Sequence, residues 1–344
     1  MIKRWHAIII LSGFIFLLII LLSYIGNNDE KPKLVNHSEN KILPPPIKEE
    51  EQTWSFLSKK YQDTRVESYC KVRQEKWRNK LVKINNYDIH FNLLGSDDIV
   101  SESIYRHGSW EISIVQTILL VLKKTSEKRG GIDISFLDIG ANIGWFTTII
   151  AKHGYNTIAF EPLHVNIEIM SSNICNNNIE SKVTVFNTGL GLKEDTCWVI
   201  SGHINIGDGI IKCGTKPDNS YKEPGSGHIY YLRQEISINL LDHYLDNINI
   251  NPPIGVMKID VEGYEENVFR GGLNFLKNYP PWYILIEIIY SYNTEFIHLL
   301  YEYGYYIATP TCENPVMDEK QVPNHMNLYL KSSPDICFIH KNAM

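Results

Sequence analysis

The sequence predicts an α/β fold, a mostly parallel sheet with helices on both faces, on three observations. An apolar run at 134–139 ends in a glycine turn and passes into a helix-forming segment. A second run at 157–160 ends on Glu161-Pro162 before another helical stretch. A third at 256–259 ends in Asp260-Val-Glu262-Gly263 and again leads into a helix, closed by Gly271-Gly272. Strand, turn and helix repeated in that order mark parallel strands joined by helical crossovers.

Composition sets the outer bounds. At 44% hydrophobic and 21% charged residues the chain can bury a substantial core. With 33 basic against 39 acidic residues, a net charge of -6 is unlike that of a nucleic-acid binder, so no nucleic-acid partner is expected.

The first 133 residues divide by composition. A short tail at 1–6 carries Lys3 and Arg4, and 7–25 is apolar without a charge, close to the ~20 residues that cross a bilayer. It is longer than the apolar region of a cleaved signal peptide, so a single-pass transmembrane signal-anchor is expected. Lys31 and Lys33 follow it, and basic residues alone do not decide the orientation. An uncleaved signal of this kind ordinarily sends the following domain to the lumen or outside, where Asn36 of Asn36-His-Ser38 is a glycosylation acceptor. Residues 26–60, with Pro44-Pro45-Pro46 and Glu49-Glu50-Glu51, read as a stem that cannot offset its ordering entropy. Residues 61–133 read as a helical extension, and 134–344 as the main domain.

In that domain the first turn reads Asp138-x-Gly140-x-Asn142-x-Gly144. Gly140 and Gly144 admit backbone angles and close approach denied to other residues. The order is not Gly-x-Gly-x-x-Gly, the turn that cradles a pyrophosphate, which disfavours a dinucleotide oxidoreductase. S-adenosylmethionine offers an ammonium, a carboxylate and a sulfonium and no phosphate, and an acid at the strand end suits it better. Glu161, closing the second strand, has the position of a carboxylate that accepts two ribose hydroxyls. A third strand, 183–186, leads into Asn187-Thr-Gly-Leu-Gly191, whose backbone is a candidate border for adenine.

These segments together resemble the FkbM-type methyltransferase family: FLDIGANIGWFT, AFEP, and Lys258-x-Asp260-x-Glu262-Gly-x-Glu265 match its three motifs in order. The resemblance runs from about residue 97 to the C-terminus and includes Gly108-Ser-Trp-Glu111. It implies a Rossmann-like class I methyltransferase fold with a seven-stranded sheet, and methyl transfer from S-adenosylmethionine, often to a hydroxyl on a glycan or small molecule. One departure is the Gly-rich, polar stretch 201–231, read as an inserted lid or acceptor loop.

Methyl transfer needs an aligned acceptor and a positioned base. Asp260 and Glu262, just past the fourth strand, are the catalytic candidates; Asp138, Gly140, Asn142, Gly144, Glu161 and Asn187 are the cofactor candidates. The alternatives for Glu262 are an ion pair with Lys258 or a helix cap. Glu287 ends the fifth strand beside the same crevice, His203 and His228 lie in the insertion within reach of an acceptor, and His243 reads as a helix-face residue. Tyr290, Tyr292, Tyr305 and Tyr306 line a pocket or pack. Six scattered cysteines give no zinc pattern, and no metal is expected; Cys197 with Cys213 and Cys312 with Cys337 pair, or all stay free thiols. Late strands at 327–330 and 336–339 are expected as a closing antiparallel hairpin. A catalytically inactive binding protein on the same fold is the alternative to an enzyme.

Overall fold

A computed structural model describes residues 77–222, 228–244, 252–287, 294–323 and 335–344. The anchor at 7–25, the stem with Asn36, residues 61–76, Tyr290, Tyr292 and the expected strand at 327–330 lie outside the described residues. Among the described residues no helix is long and apolar enough to cross a membrane.

The extension at 61–133 is not all helical. It holds β1 (Arg78–Ile84) and β2 (Tyr87–Leu93), an antiparallel hairpin, before α1 (Ile99–His107) and α2 (Ile112–Lys128). Val82, Ile84, Ile89, Phe91 and Leu93 are buried at every second position, the strand period rather than the helical one. Asn85, at φ 53, supplies the left-handed residue a two-residue hairpin turn requires.

Chain order continues β3 (Ser135–Ile139), α3 (Trp145–Lys152), β4 (Asn156–Phe160), α4 (His164–Asn176), β5 (Val183–Phe186), β6 (Gly189–Leu190), β7 (Asp195–Ser201), β8 (Ile210–Cys213), β9 (Ser220–Lys222) and β10 (Ile229–Asn239). It closes with β11 (Ile254–Ile259), α5 (Glu265–Arg270), α6 (Leu273–Asn278), β12 (Tyr283–Glu287), α7 (Thr294–Glu302), β13 (Tyr305–Ala308) and β14 (Asp335–His340). Asn173 of α4 and Asn177 just past its end receive the hairpin: Asn173 Oδ1 accepts from the Asn92 N–H at 2.6 Å, and Asn177 Oδ1 from the His90 N–H at 3.0 Å.

Among the described residues the main sheet has seven strands in the order β13-β14-β12-β11-β3-β4-β5. All neighbours are parallel except β14, which is antiparallel to β12 and β13. Among the described residues β14 pairs with β13 on one side and β12 on the other. Side-chain alternation builds two cores. Phe136, Val256 and Leu285 pack with α2 and the β1–β2 hairpin. Leu137, Ile139, Met257, Ile259, Ile284 and Ile286 pack with α5, α6 and α7. Two residues on from the first set stand Asp138, Lys258 and Glu287, so the same parity carries three charged groups to one face at the carboxyl ends of adjacent strands.

A smaller sheet, β6-β10-β7-β8 with β9 on β10, stands beside it. The insertion expected as a loop thus contains strands, because β8 pairs along β7 from Cys197↔Cys213 to Ile200↔Ile210. Cys197–Cys213 and Cys312–Cys337 are disulfides rather than thiols.

Candidate active site

A cleft of about 290 Å³ opens at the carboxyl ends of β3, β4, β11 and β12, where open α/β sheets take ligands. Gly140, Asn142 and Glu161 form one part of its wall; Asp260, Glu262, Lys258 and Glu287 form another. The insertion contributes Asn205, Gly207 and Asp208, and the segment before α2 contributes Trp110 and Glu111.

Gly140 lies at φ +82, and a Cβ on it would stand 1.8 Å from the Asp260 carbonyl oxygen, so the turn and the β11 loop touch through backbone alone. Gly144, at φ +78, would drive a Cβ to 2.5 Å from Met170 Cγ; it seats α3 against α4 and does not line the cleft. Asn142 is left-handed at φ 52, and its N–H donates to Glu161 Oε2 at 2.8 Å. Glu161 Oε1 accepts from the Leu163 N–H at 2.8 Å and from Asn166 Nδ2 at 3.2 Å. Burial pushes this carboxyl up to about 7, against the pull of the Leu163 and Asn142 donors.

Two cofactor candidates stand behind the wall instead of in it. Asp138 is buried and accepts from the Thr147 hydroxyl at 2.6 Å, which ties the end of β3 to α3. Its desolvation raises its pKa to about 6, opposed by Lys258 and Thr147. Asn187 donates from Nδ2 to the carbonyls of Glu161 and Pro162 at 2.9 and 3.0 Å, holding the Glu-Pro turn.

The catalytic candidates do meet. Lys258, 2% exposed, donates to Asp260 Oδ2 at 2.7 Å, so its partner is Asp260 and not Glu262. Burial opposes its charge, but Asp260, Glu111 and Asp138 outweigh that and raise its pKa. Burial likewise opposes the Asp260 charge; the Lys258 ammonium and a hydrogen bond from Glu287 nonetheless hold Asp260 below the usual carboxylate range. Burial and the Asp260 charge push Glu287 up to about 10. Burial and Asp208 push Glu262 up to about 9, with a hydrogen bond between the two carboxyls. The negative charge of the cluster is thus favoured on Asp260, while Glu287 and Glu262 are shifted toward their protonated forms. The turn that leads into the next helix is held by Glu265, whose Oε1 accepts from the Gly263 N–H at 3.0 Å.

Asp260, Glu262 and Glu287 offer oxygens within 4.8 Å of one another, the described oxygen set that could take a cation. The other such group, Asp195 with Cys197 and Cys213, has its sulfurs in a disulfide and no thiolate to offer. His243 pairs with Glu194 at 3.1 Å, His203 packs edge-on to Tyr231, and His228 does not line the cleft. Tyr305 is buried with its hydroxyl donating to the Pro281 carbonyl at 2.9 Å, and Tyr306 packs on Tyr301.

Sequence reasoning missed Asp208, Trp110 and Trp145 as cleft residues, and Lys258 as the counter-ion of Asp260. The period-two placement of Lys258 with Asp138 and Glu287 was a signal for the last. Within the wall, Glu111 Oε2, Trp145 Nε1 and Asn205 Oδ1 are buried without a hydrogen-bond partner, which fits a polar ligand whose donors and acceptors complete them.

Residues 138–307 match the family model described as the methyltransferase FkbM domain. The chain is 30% identical over 148 residues to Methyltransferase 1 of Beauveria bassiana (strain ARSEF 2860), covering 40% of this chain and 59% of that protein. It thus spans under two thirds of that relative's length. Solved structures with a similar arrangement include a Pyrococcus abyssi tRNA (uracil-54, C5)-methyltransferase in complex with S-adenosyl-L-homocysteine, at TM-score 0.32 and 12% identity over 78% of this chain and 44% of that one. Another is precorrin-6y C5,15-methyltransferase of Geobacter metallireducens GS-15, at TM-score 0.31 and 13% identity over 64% of this chain and 84% of that one. Likenesses of that depth say nothing about substrate or mechanism.

Proposed function

We propose that this chain, whose residues 138–307 are an FkbM methyltransferase domain, transfers the methyl group of S-adenosylmethionine to a hydroxyl on a glycan or other small molecule. The observation that carries the reading is a single cleft bounded by the Gly140 turn and Glu161 on one side and by Asp260 and Glu262 on the other.

The bound cofactor supplies an electrophilic methyl on a sulfonium. Glu161 would accept a ribose hydroxyl with the one lone pair its three donors leave open. Gly140 and Asn142 bring backbone close to the ligand, while Asp138, Gly144 and Asn187 act one layer back by fixing β3, α3 and the Glu-Pro turn. Asp260, kept anionic by Lys258, would set a negative charge that favours a cationic group in the cleft, and Glu262, hydrogen-bonded to Asp208, holds that carboxyl at the cleft wall. This is preorganised electrostatics, since the charge is in position before the ligand arrives.

Calorimetry with S-adenosylmethionine and with NAD, coupled to transfer of labelled methyl onto a panel of monosaccharides and polyols, tests the reading. Binding of the first alone, with label in an ether product, is expected. Binding without transfer to any panel member would favour the inactive binding protein, and binding of neither would remove the reading. The apolar run at 7–25 further suggests a membrane anchor with the domain in the lumen or outside. Protease is then expected to digest the domain in intact cells if it lies outside, or to spare it with only the plasma membrane permeabilised if it is luminal; digestion that appears only on that permeabilisation would put it in the cytosol.

A further inference from the structure

The cleft holds one carboxylate, Glu111, that the roles above leave unused and that none of the hydrogen bonds described above engages. Glu111 stands at the N-terminus of α2 and lines the cleft with Trp110. Its backbone is left-handed, at φ 39 and ψ 44, a conformation that side-chain-bearing residues rarely adopt and that tends to persist where function requires it. An acidic residue at a helix cap ordinarily turns back to accept from the first-turn N–H groups. Glu111 makes no such bond, and its Oε2 is buried without a hydrogen-bond partner among the described residues. A buried carboxylate oxygen is not normally left bare.

The other acids of the cleft are committed. Asp260 holds Lys258 and a hydrogen bond from Glu287. Glu262 is bonded to Asp208, and Glu161 already accepts from three donors. Taking the proposed methyl transfer as the premise, we propose that Glu111 is the base that removes the proton of the acceptor hydroxyl, with Oε2 directed at the reacting oxygen. The acceptor oxygen bonds to the methyl carbon as the carbon–sulfur bond breaks and its electron pair stays on sulfur. The hydroxyl proton passes to Glu111 Oε2. One positive charge on sulfur and one negative charge on Glu111 disappear together, so the buried cleft ends the step with less charge than it began with.

The charged groups facing Glu111 are Lys258 and the carboxylates of Asp335, Asp260 and Asp208. Burial, opposed by Lys258, pushes Glu111 up to about 7, close to the ambient pH at which a general base works best.

This position makes the inference testable without knowing the acceptor. A sulfonium beside Glu111 lowers its pKa by about 1 to 3, so binding the cation at pH 7 expels about half a proton. S-adenosylhomocysteine, with the same ribose and amino-acid groups and a neutral sulfur, does not. Titrating the full chain with each compound, in two buffers of different ionisation enthalpy, counts the protons. The expected result is a release about half a proton larger for S-adenosylmethionine, lost in Glu111→Gln and kept in Glu111→Asp. Glu111→Ala replaces Glu111→Gln if thermal melting shows that the amide variant is unfolded. An equal release for both compounds in the wild type, or a difference that survives in Glu111→Gln or Glu111→Ala, overturns the assignment and leaves the methyltransferase reading standing. If S-adenosylmethionine does not bind at all, that reading itself has failed.

Discussion

Replacing Glu161 by Gln separates the two jobs this carboxylate has. It is 4% exposed and its pKa stands at about 7, up from 4.5, chiefly through burial. With the folded pKa raised, its contribution to stability is complete below pH 4.5 and is lost as pH climbs through 7. The difference is worth roughly 3 kcal/mol at 1.36 kcal/mol per pH unit. A neutral amide escapes that cost. It meets another, because both carboxyl oxygens keep a lone pair to accept with, protonated or not, and an amide accepts at one atom only. With the Gln carbonyl toward Leu163 and Asn166, its NH2 group confronts the Asn142 N–H, at about 1–3 kcal/mol for the unsatisfied donors. Glu161→Gln should therefore melt below wild type at pH 5 and match or exceed it at pH 8. Affinity for S-adenosylmethionine should fall at pH 8, where wild-type Glu161 is ionised, by about 10- to 100-fold, for a lost charge-assisted bond of about 1.5–3 kcal/mol, and should fall less at pH 5, where it is protonated. Thermal melts at pH 5 and 8 and calorimetry check this. A melting difference that does not change with pH would refute the account of burial, and unchanged affinity would refute the ribose role.

Gly140→Ala should abolish measurable S-adenosylmethionine binding, because its Cβ would lie 1.8 Å from the Asp260 carbonyl at φ +82; ordinary affinity by calorimetry would mean the turn relaxes freely. Lys258→Met leaves Asp260 without its 2.7 Å counter-ion and should cost about 3 kcal/mol in urea unfolding, with Asp260→Asn added on top recovering much of the loss. Wild-type stability of Lys258→Met would count against the ion pair. Opening Cys197–Cys213 by paired Ser substitutions frees a loop of sequence separation 16 and should lower stability by about 3 kcal/mol, whereas an unshifted melt would show the β7–β8 hairpin holds without it.

Much of the fold was legible in the sequence because its signals are local. The buried runs of β3, β4, β5, β11 and β12, the glycines whose positive φ the turn demands, and the acids that end β4 and β11 are each set by a few consecutive residues and by the two-residue period of a strand. The β1–β2 hairpin was also local, since Asn85 and the alternation from Val82 to Leu93 encode it, but a helical reading of the extension obscured it. The identity of each acid's partner was not local. Glu262 has Lys258 four residues before it, yet strand alternation and the turn at Glu262 send Lys258 to Asp260 and leave Glu262 to Asp208, 54 positions away in sequence. Asp138, Gly144 and Asn187 sit in the right motifs but behind the cleft wall, a distinction of one layer that depends on how α3 and the Glu-Pro turn pack. Glu111 reaches the cleft only because α2 folds back across the sheet. Which carboxylates are charged at neutral pH follows from burial and from the sum of neighbouring charges, and both exist only once strands and loops distant in sequence have come together.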